Sequence, residues 1–485
     1  MNEFKNILNA LKAYPGEGMA DLNEAVYFIG IAGIGMSALA RYFNAEGITV
    51  SGYDKTETAL SKQLVAEGIA VHYEDKIELI DKNAQLIIYT PAVPDGHKEL
   101  NYYRENKYRV VKRSEVLEAI TAGSFNICVG GTHGKTTIST MIAHILRHSG
   151  YGCNAFLGGI AVNYNSNFWE SKMNVCVVEA DEYDRSFLKL SPDVAVISAM
   201  DPDHLDIYGT AENMEQAFID FSAKIKPSGL LLNKFGLKRE KDLKAGHHLT
   251  YHVQNKNADV YAMNIKMNNG SYRFDMLMKE WKLNDVVLNM GGMHNIENVL
   301  AAIAVAHYLG IDDDKIKNAV AGFKGVKRRF EYIIPPTAGK EGRQLVMIDD
   351  YAHHPEELRA LITGARALFS NKKCIVVFQP HLYSRTRDLA DDFARSLDLA
   401  DEVMMLPIYP ARELPIEGVS SEMILNRMHS ENKILMTKED LLKHFGLEKN
   451  THVEEGFEGI VLITAGAGDI ETLVEPIKQI FINNN

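Results

Sequence analysis

Apolar residues in this chain fall in short runs that end in glycine or small polar residues, and helically spaced apolar positions separate the runs. From Val26 onward the segments YFIGIAGIGMSALARYF, EGITVSGYD and AQLIIYTPAV predict strand, helix, strand and strand, the alternation of a parallel α/β fold. A second block opens near Phe125 with a strand, the loop GGTHGKTT at residues 130–137, and a helix that keeps Ile138, Met141, Ile142, Ile145 and Leu146 on one face until Gly150. NVCVVEADE and DVAVISAMDPDH read as its next strands. Short alternating strands, YRFDMLM and DVVLNM, follow before GMHNIENVLAAIAVAHYLG predicts one buried helix. After Arg329 the strands LVMIDD, KCIVVFQP, DEVMMLPI and GIVLITAGAGD alternate with helices. Boundaries near 112 and 328 divide the chain into 1–112, 113–328 and 329–485.

Composition narrows the partners. A chain of 485 residues exceeds one ordinary core, in keeping with several domains. Its net charge of -12 argues against a nucleic-acid face and leaves small molecules as the expected ligands. The longest apolar stretch, VLAAIAVAHYLGI from Val299, falls short of the ~18 residues of a membrane span. The N-terminal MNEFKNILNALKAYPGEG has helical spacing and lacks the apolar core of a secretory signal. Cys128, Cys153, Cys176 and Cys374 are scattered, which indicates neither a disulfide framework nor a structural zinc site and fits a reducing cytoplasm.

Two glycine loops carry the candidate chemistry. GIAGIG, residues 30–35, follows a strand and opens a helix, so backbone N–H groups and a helix N-terminus face its guest, and a diphosphate suits them. Asp54 ends the next strand, where a Rossmann fold places its ribose-binding acid. The order GxxGxG departs from the dinucleotide fingerprint GxGxxG, so a nucleotide diphosphate, a dinucleotide and plain strand–helix packing all remain open. In the second loop, Lys135 and Thr136 stand where the lysine and metal-binding hydroxyl of a phosphate loop belong, although only three residues separate Gly130 from Gly134. The loop predicts an NTP phosphate, with Thr136 on Mg²⁺.

Glu179 and the segment DPDHLD end strands that should reach the same sheet edge, where oxygen ligands suit Mg²⁺ and the imidazole of His204 would equally suit Mn²⁺. Asp181, Glu182 and Asp184 are either part of that site or solvated loop charges.

Together these motifs resemble the Mur ligases. GIAGIGMSALA is similar to that family's UDP loop, GTHGKTT to its shortened ATP loop, and EADE with DPDHLD to its metal segments; HNIENVLAA, GVKRRFE, DDYAHHPEE, FQPHLYSRTRDL and GAGDI follow in the family's order. The resemblance implies three domains: a Rossmann-like N-terminal domain for UDP-N-acetylmuramate, a central parallel-sheet ATPase-type domain, and a C-terminal Rossmann-like α/β domain for L-alanine. It implies that ATP activates the muramoyl carboxylate as an acyl phosphate, which the alanine amine attacks. Gly30, Gly33, Ile34, Gly35, Met36, Ser37, Asp54, Thr90 and Ala92 would hold the UDP-sugar. Gly131, Thr132, His133, Gly134, Lys135, Thr136, Thr137, His294, Asn295, Asn298, Arg328, Asp350 and Tyr351 would hold ATP, with Thr136, Glu179 and His204 on the metal. Lys135, Glu179, His204, Arg329, His354, His381 and Arg385 would serve catalysis, with His353 beside them. A monomer or homodimer free of nucleic acid and of integral membrane association is expected.

Three departures bear on the site. ADEYDRSF stands where relatives often carry ADESDGSF, so Tyr183 and Arg185 replace small residues. Leu382 occupies a position that is basic in some relatives, which leaves Arg385, with His381 nearby, as the clamp for an α-carboxylate, and Arg387 and Arg329 next in line. No counterpart of the carbamylated lysine of sister ligases is expected. The competing functions are recycling of a tripeptide onto the same UDP-sugar, a NAD-dependent dehydrogenase, and a non-catalytic nucleotide sensor.

Overall fold

The computed structural model describes Ile7 and residues 24–483 except 203, 269, 337–344, 412 and 448–455. The helical reading of the N-terminal segment, Ile7 apart, and Asp203 of DPDHLD lie outside the described residues.

Three sheets carry the chain. The first is parallel, with β1 (Ala25–Ile29), β2 (Thr49–Tyr53), β3 (Ala70–His72), β4 (Leu86–Tyr89) and β5 (Val110–Lys112) in the order β3-β2-β1-β4-β5. The order reverses at β1, so the loop GIAGIG leaves the sheet at its switch point, where open α/β sheets bind ligands. The second sheet places β6 (Phe125–Gly130) between β9 (Val175–Glu179) and β10 (Val194–Ile197), all parallel. On one side it continues through β7 (Asn154–Ala161) to β8 (Ser166–Trp169), and on the other through β11 (Leu230–Lys234) and β12 (His247–His252) to β13 (Val260–Asn268), β14 (Ser271–Met278) and β15 (Trp281–Leu288). Register pairs Val129 with Glu179 and Gly130 with Ile197, so both neighbours of β6 end beside the phosphate loop. The third sheet runs β16-β17-β21-β18-β19-β20, with β16 (Glu331–Ile334) antiparallel to β17 (Leu345–Asp350), then β21 (Ile460–Ala465), β18 (Lys373–Phe378), β19 (Glu402–Met405) and β20 (Lys433–Leu435) parallel.

The chain forms two compact units. The first holds residues up to Tyr261 with Leu277–Lys282 and Glu297–Ala319; the second holds Ala262–Met276, Leu283–Ile296 and the chain from Val320. The first unit contains the whole first sheet and most of the second because the helix Ile34–Ala45 packs between them. Its Tyr42 ring meets Phe156 and Phe168 at 5.7 and 5.9 Å, and Phe28, Phe43, Phe156, Phe168, Phe218 and Phe221 belong to one buried cluster. Each fully buried aromatic of this kind contributes about 2–3 kcal/mol. Arg41, also on this helix, is buried and bonded to Asn167 and Glu67. The four cysteines are buried, and none of them is in a disulfide. Among the described residues no helix is long and apolar enough to cross a membrane.

Candidate active site

A cleft of about 260 Å³ opens within the first unit, lined by the loop residues Gly33 to Met36, by Thr90, Lys112 and Arg113, and by Gly158, Glu179, Asp181, Tyr183 and Asp184. Asp54 accepts the Ala32 N–H at 2.8 Å and so folds the first loop back on the strand end. A Cβ at Gly35 would lie 2.1 Å from Arg113 Nη1, so a side chain there would push that guanidinium aside. Arg113 in turn pairs with Asp181 at 3.3 Å, and Lys112 with Asp184 at 3.4 Å. Neither cation belongs to a recognisable motif, and sequence reasoning missed both. Of the residues expected here, Gly33, Ile34, Gly35, Met36 and Thr90 line the cleft. Gly30 packs against Thr90. Ser37 is buried and bonded to Asn167 and the Ile34 carbonyl, so its hydroxyl faces the core, and Ala92 is exposed outside the lining.

The phosphate loop runs from β6 into the helix Lys135–His148. Gly131 has φ +127°, and a Cβ there would lie 2.3 Å from Ser198 Oγ, so only glycine lets the loop turn against β10. Ser198 Oγ donates to the Gly130 and His133 carbonyls. Thr132 N donates to the Ala199 carbonyl, and its Oγ1 accepts from Asp201 N. His133 is exposed beside Asp201, Thr136 is half-buried, Thr137 is buried, and Asn298 lies against Gly134.

Lys135 folds back across its own loop. Its Nζ donates to the Gly131 carbonyl at 2.8 Å and to Glu182 Oε1 at 2.7 Å. Glu182 is 1% exposed, and burial pushes its carboxyl up against the opposing pull of Lys135. Tyr208 donates its hydroxyl to the Glu182 carbonyl at 2.6 Å, and His204 Nε2 stands 3.9 Å from Glu182 Oε1. Glu182 is buried against the loop lysine, whereas Asp181 and Asp184 pair with cations of the cleft while their side chains stay 37% exposed to solvent. Glu179 ends β9 with its carboxylate accepting the Gly158 N–H at 3.1 Å.

The loop after Glu182 is strained, with Asp184 and Arg185 both left-handed at φ +53° and +55°. Arg185 therefore stands where glycine is at ease, and its guanidinium covers the Tyr208 ring at 5.2 Å. Tyr183 is 40% exposed, with its ring 5.3 Å from that of His204. Left-handed backbone costs a side chain about 1 kcal/mol and the exposed cation–π contact offsets about 0.5 kcal/mol. Arg185→Gly is thus expected to exceed Arg185→Ala in stability by about 1 kcal/mol in urea unfolding; equal midpoints would remove strain as the explanation.

In the second unit, Asp350 receives Phe330 N and Ala352 N, each at 2.7 Å, and burial raises its carboxyl to about 6. It shapes the turn that displays Tyr351, 37% exposed, with the Arg328 and Arg329 guanidinium groups 5.2 and 5.8 Å from the ring centre. Arg328, left-handed at φ +60°, bonds Asp349 at 3.0 Å and the Gly466 carbonyl at 2.5 Å, so its guanidinium anchors the third sheet; Arg329 is exposed. Asn295 is buried and donates to the Gly291 carbonyl, with His294 beside Gly292.

Glu357 accepts the backbone N–H of both His353 and His354 at the start of the helix Pro355–Leu368, which leaves His354 exposed as its cap. His381 stacks on Tyr409 and faces His353 at 6.0 Å; burial and the Arg385 charge lower its pKa to about 4, so it is neutral near pH 7. The helix Tyr383–Leu397 begins after Leu382, which is left-handed at φ +71° and caps it through its carbonyl, so Leu382 and Arg385 do not share a helical face. Among the described residues, Arg385 Nη1 and His381 Nδ1 are buried without a hydrogen-bond partner. Arg387 is exposed and paired with Asp388 at 2.7 Å, an ordinary surface contact.

A shortened phosphate loop at one switch point, a second glycine loop at another, and a carboxylate-lined cleft in the same unit define an enzyme that works on phosphorylated substrates. Profiles of the Mur ligase family catalytic domain, middle domain and glutamate ligase domain match residues 25–124, 129–306 and 328–468. The chain belongs to the Mur ligases, which are ATP-dependent ligases. It is 48% identical over 463 residues, 94% of its length and 98% of the relative's, to a UDP-N-acetylmuramate–L-alanine ligase of Porphyromonas gingivalis. A solved UDP-N-acetylmuramate–alanine ligase of Thermotoga maritima superposes with a TM-score of 0.78 at 28% identity, covering 95% of this chain and 98% of the other. A murein peptide ligase of Psychrobacter arcticus shares the fold at 22% identity, with a TM-score of 0.63 and coverage of 95% and 98%.

Proposed function

We propose that this chain joins L-alanine to the muramoyl carboxylate of UDP-N-acetylmuramate at the expense of ATP. The observation that carries the reading is the placement, within one unit, of the Lys135 loop and of a cleft that combines the first glycine loop, Lys112, Arg113 and Glu179. The first loop, with Lys112 and Arg113, binds the UDP diphosphate; Lys135 and the N–H groups of residues 131–137 grip the ATP phosphates. A muramoyl carboxylate oxygen attacks the γ-phosphorus and ADP leaves. The alanine amine then attacks the acyl carbon, losing a proton, and the C–O bond to phosphate breaks. Lys135 stabilises charge on the transferred phosphoryl group.

Mg²⁺, or Mn²⁺ as an alternative, would be held by Thr136, Glu179 and His204, of which His204 has Nε2 3.9 Å from Glu182 Oε1. Among the described residues no three His, Cys, Asp or Glu side chains form a metal cage. A cation carried on nucleotide phosphates needs only one or two carboxylates, and Glu182 Oε2 is a buried oxygen with no hydrogen-bond partner among the described residues. When bound, the cation neutralises phosphate charge. Arg385, with neutral His381, holds the alanine carboxylate.

The test is phosphate release with ATP, Mg²⁺ and UDP-N-acetylmuramate. Release that requires L-alanine supports the reading; release driven by the tripeptide alone assigns the chain to peptide recycling, and no release with either overturns both.

A further inference from the structure

Tyr183 departs from the small residue expected at its position and takes no part in gripping either phosphate. Its backbone is held on both sides: the N–H donates to Asp181 Oδ1 at 3.1 Å, and the carbonyl accepts from Ser186 Oγ at 3.2 Å. The side chain lines the cleft of the first unit, 40% exposed, with its ring against that of His204 at 5.3 Å between centres and 77° between planes. We propose that the Tyr183 ring is a specificity-determining contact for the lactyl ether of the amino sugar, the arm that carries the reacting carboxylate.

Position within the cleft carries the assignment. One part of its wall is the first glycine loop with Arg113 against Gly35, where a diphosphate fits. From Tyr183 a short series of contacts leads instead to the loop lysine: its ring on His204, His204 Nε2 at 3.9 Å from Glu182 Oε1, and Glu182 Oε1 on Lys135 Nζ at 2.7 Å. A UDP-sugar whose diphosphate sits on the glycine loop has to bring its carboxylate to the γ-phosphate gripped by Lys135, so the arm that passes Tyr183 is the one that bears the carboxylate. That arm is an ether with a methyl group on the carbon next to the carboxylate, and an aromatic ring partly open to the cleft gains apolar contact from it. Of the described residues that line the cleft from Gly158 to Ser186, Tyr183 alone offers a large apolar surface; the others are glycine, serine and acids. The same nucleotide sugar with a free hydroxyl in place of the ether has nothing to lay on the ring.

This inference rests on the ligase reading of the cleft, and one experiment separates the two. Dissociation constants for UDP-N-acetylmuramate and for UDP-N-acetylglucosamine, which has the free hydroxyl, are measured by calorimetry in EDTA without nucleotide for the unmodified chain, Tyr183→Ser and Tyr183→Phe. One apolar group in a pocket is worth about 10-fold or more, so Tyr183→Ser should weaken UDP-N-acetylmuramate by at least about 10-fold and leave UDP-N-acetylglucosamine within about 2-fold, with Tyr183→Phe like the unmodified chain. A ring that only props His204 leaves both constants unchanged, and that result overturns the proposal. Equal weakening of the two sugars also overturns it, since the ring then touches a part they share, as does a loss in Tyr183→Phe as large as in Tyr183→Ser, which puts the contact at the hydroxyl. Failure of the unmodified chain to bind UDP-N-acetylmuramate, even with Mg²⁺ and a non-hydrolysable ATP analogue added, overturns the ligase reading itself; where binding requires them, the comparison is made with both present. Should Tyr183→Ser not fold, Tyr183→Leu is measured in the same way and is expected to show a smaller loss confined to UDP-N-acetylmuramate; no change overturns the proposal.

Discussion

Lys135→Ala is expected to lower ligation by about 10³-fold or more, the scale of losing a preorganised charge at a transferring phosphoryl group. Affinity for UDP-N-acetylmuramate should stay within a few fold, since that ligand is assigned to the first glycine loop. Phosphate release and calorimetry read the two quantities. The structure adds a second effect that the motif alone does not contain: removing the ammonium strands Glu182, 1% exposed, without its partner. Breaking a buried pair on one side costs about 3–5 kcal/mol, so the variant should also unfold at lower denaturant. Adding Glu182→Gln should restore stability and leave turnover lost. If the double variant also loses UDP-sugar affinity, the assignment of the two phosphate sites to separate loops is wrong.

Arg385→Ala should raise the KM for L-alanine by roughly 10- to 150-fold, the range of a charge-assisted carboxylate contact, with the KM values for ATP and UDP-N-acetylmuramate within a few fold. A buried guanidinium nitrogen with no partner among the described residues is costly in the empty protein and gains most from an incoming carboxylate. Its neighbours point the same way: burial, with a smaller push from the Arg385 charge, lowers both His353 and His381, so neither competes as the cation near pH 7. Arg387 is spent on Asp388. Loss confined to the UDP-sugar KM would instead place Arg385 on the muramoyl carboxylate or its phosphate, and Arg329 would be next as the alanine clamp.

The strands and helices around both loops were legible because apolar runs, glycines and caps act locally. The loop position of Lys135 and the strand-end position of Glu179 were legible from their neighbours, whereas Tyr351 was reached only through the resemblance. What the sequence did not disclose is which charges the tertiary fold pairs. Glu182 reads as one of several loop acids, and only packing under Tyr208 and against Lys135 makes it a buried group. Lys112 and Arg113 look like ordinary charges at the end of β5, and only the approach of the second sheet turns them toward the cleft. Ser37 and Asp350 show the converse. Each lies in a motif, yet Ser37 Oγ is bonded to Asn167 and the Asp350 carboxylate to backbone N–H groups, so their polar atoms shape the site from behind.

The segment from Asp181 to Arg185 sets three separations at once: Asp181 to Arg113, Glu182 to Lys135 and Asp184 to Lys112. Its two consecutive left-handed residues fix the spacing among those acids. An exchange of side chain within it alters one pair, whereas adding or deleting a single residue would change the reach of the later acids while the earlier ones stay anchored at the end of β9. A change of length therefore disturbs several pairs at once, and a kinetic defect it caused could not be credited to either substrate alone.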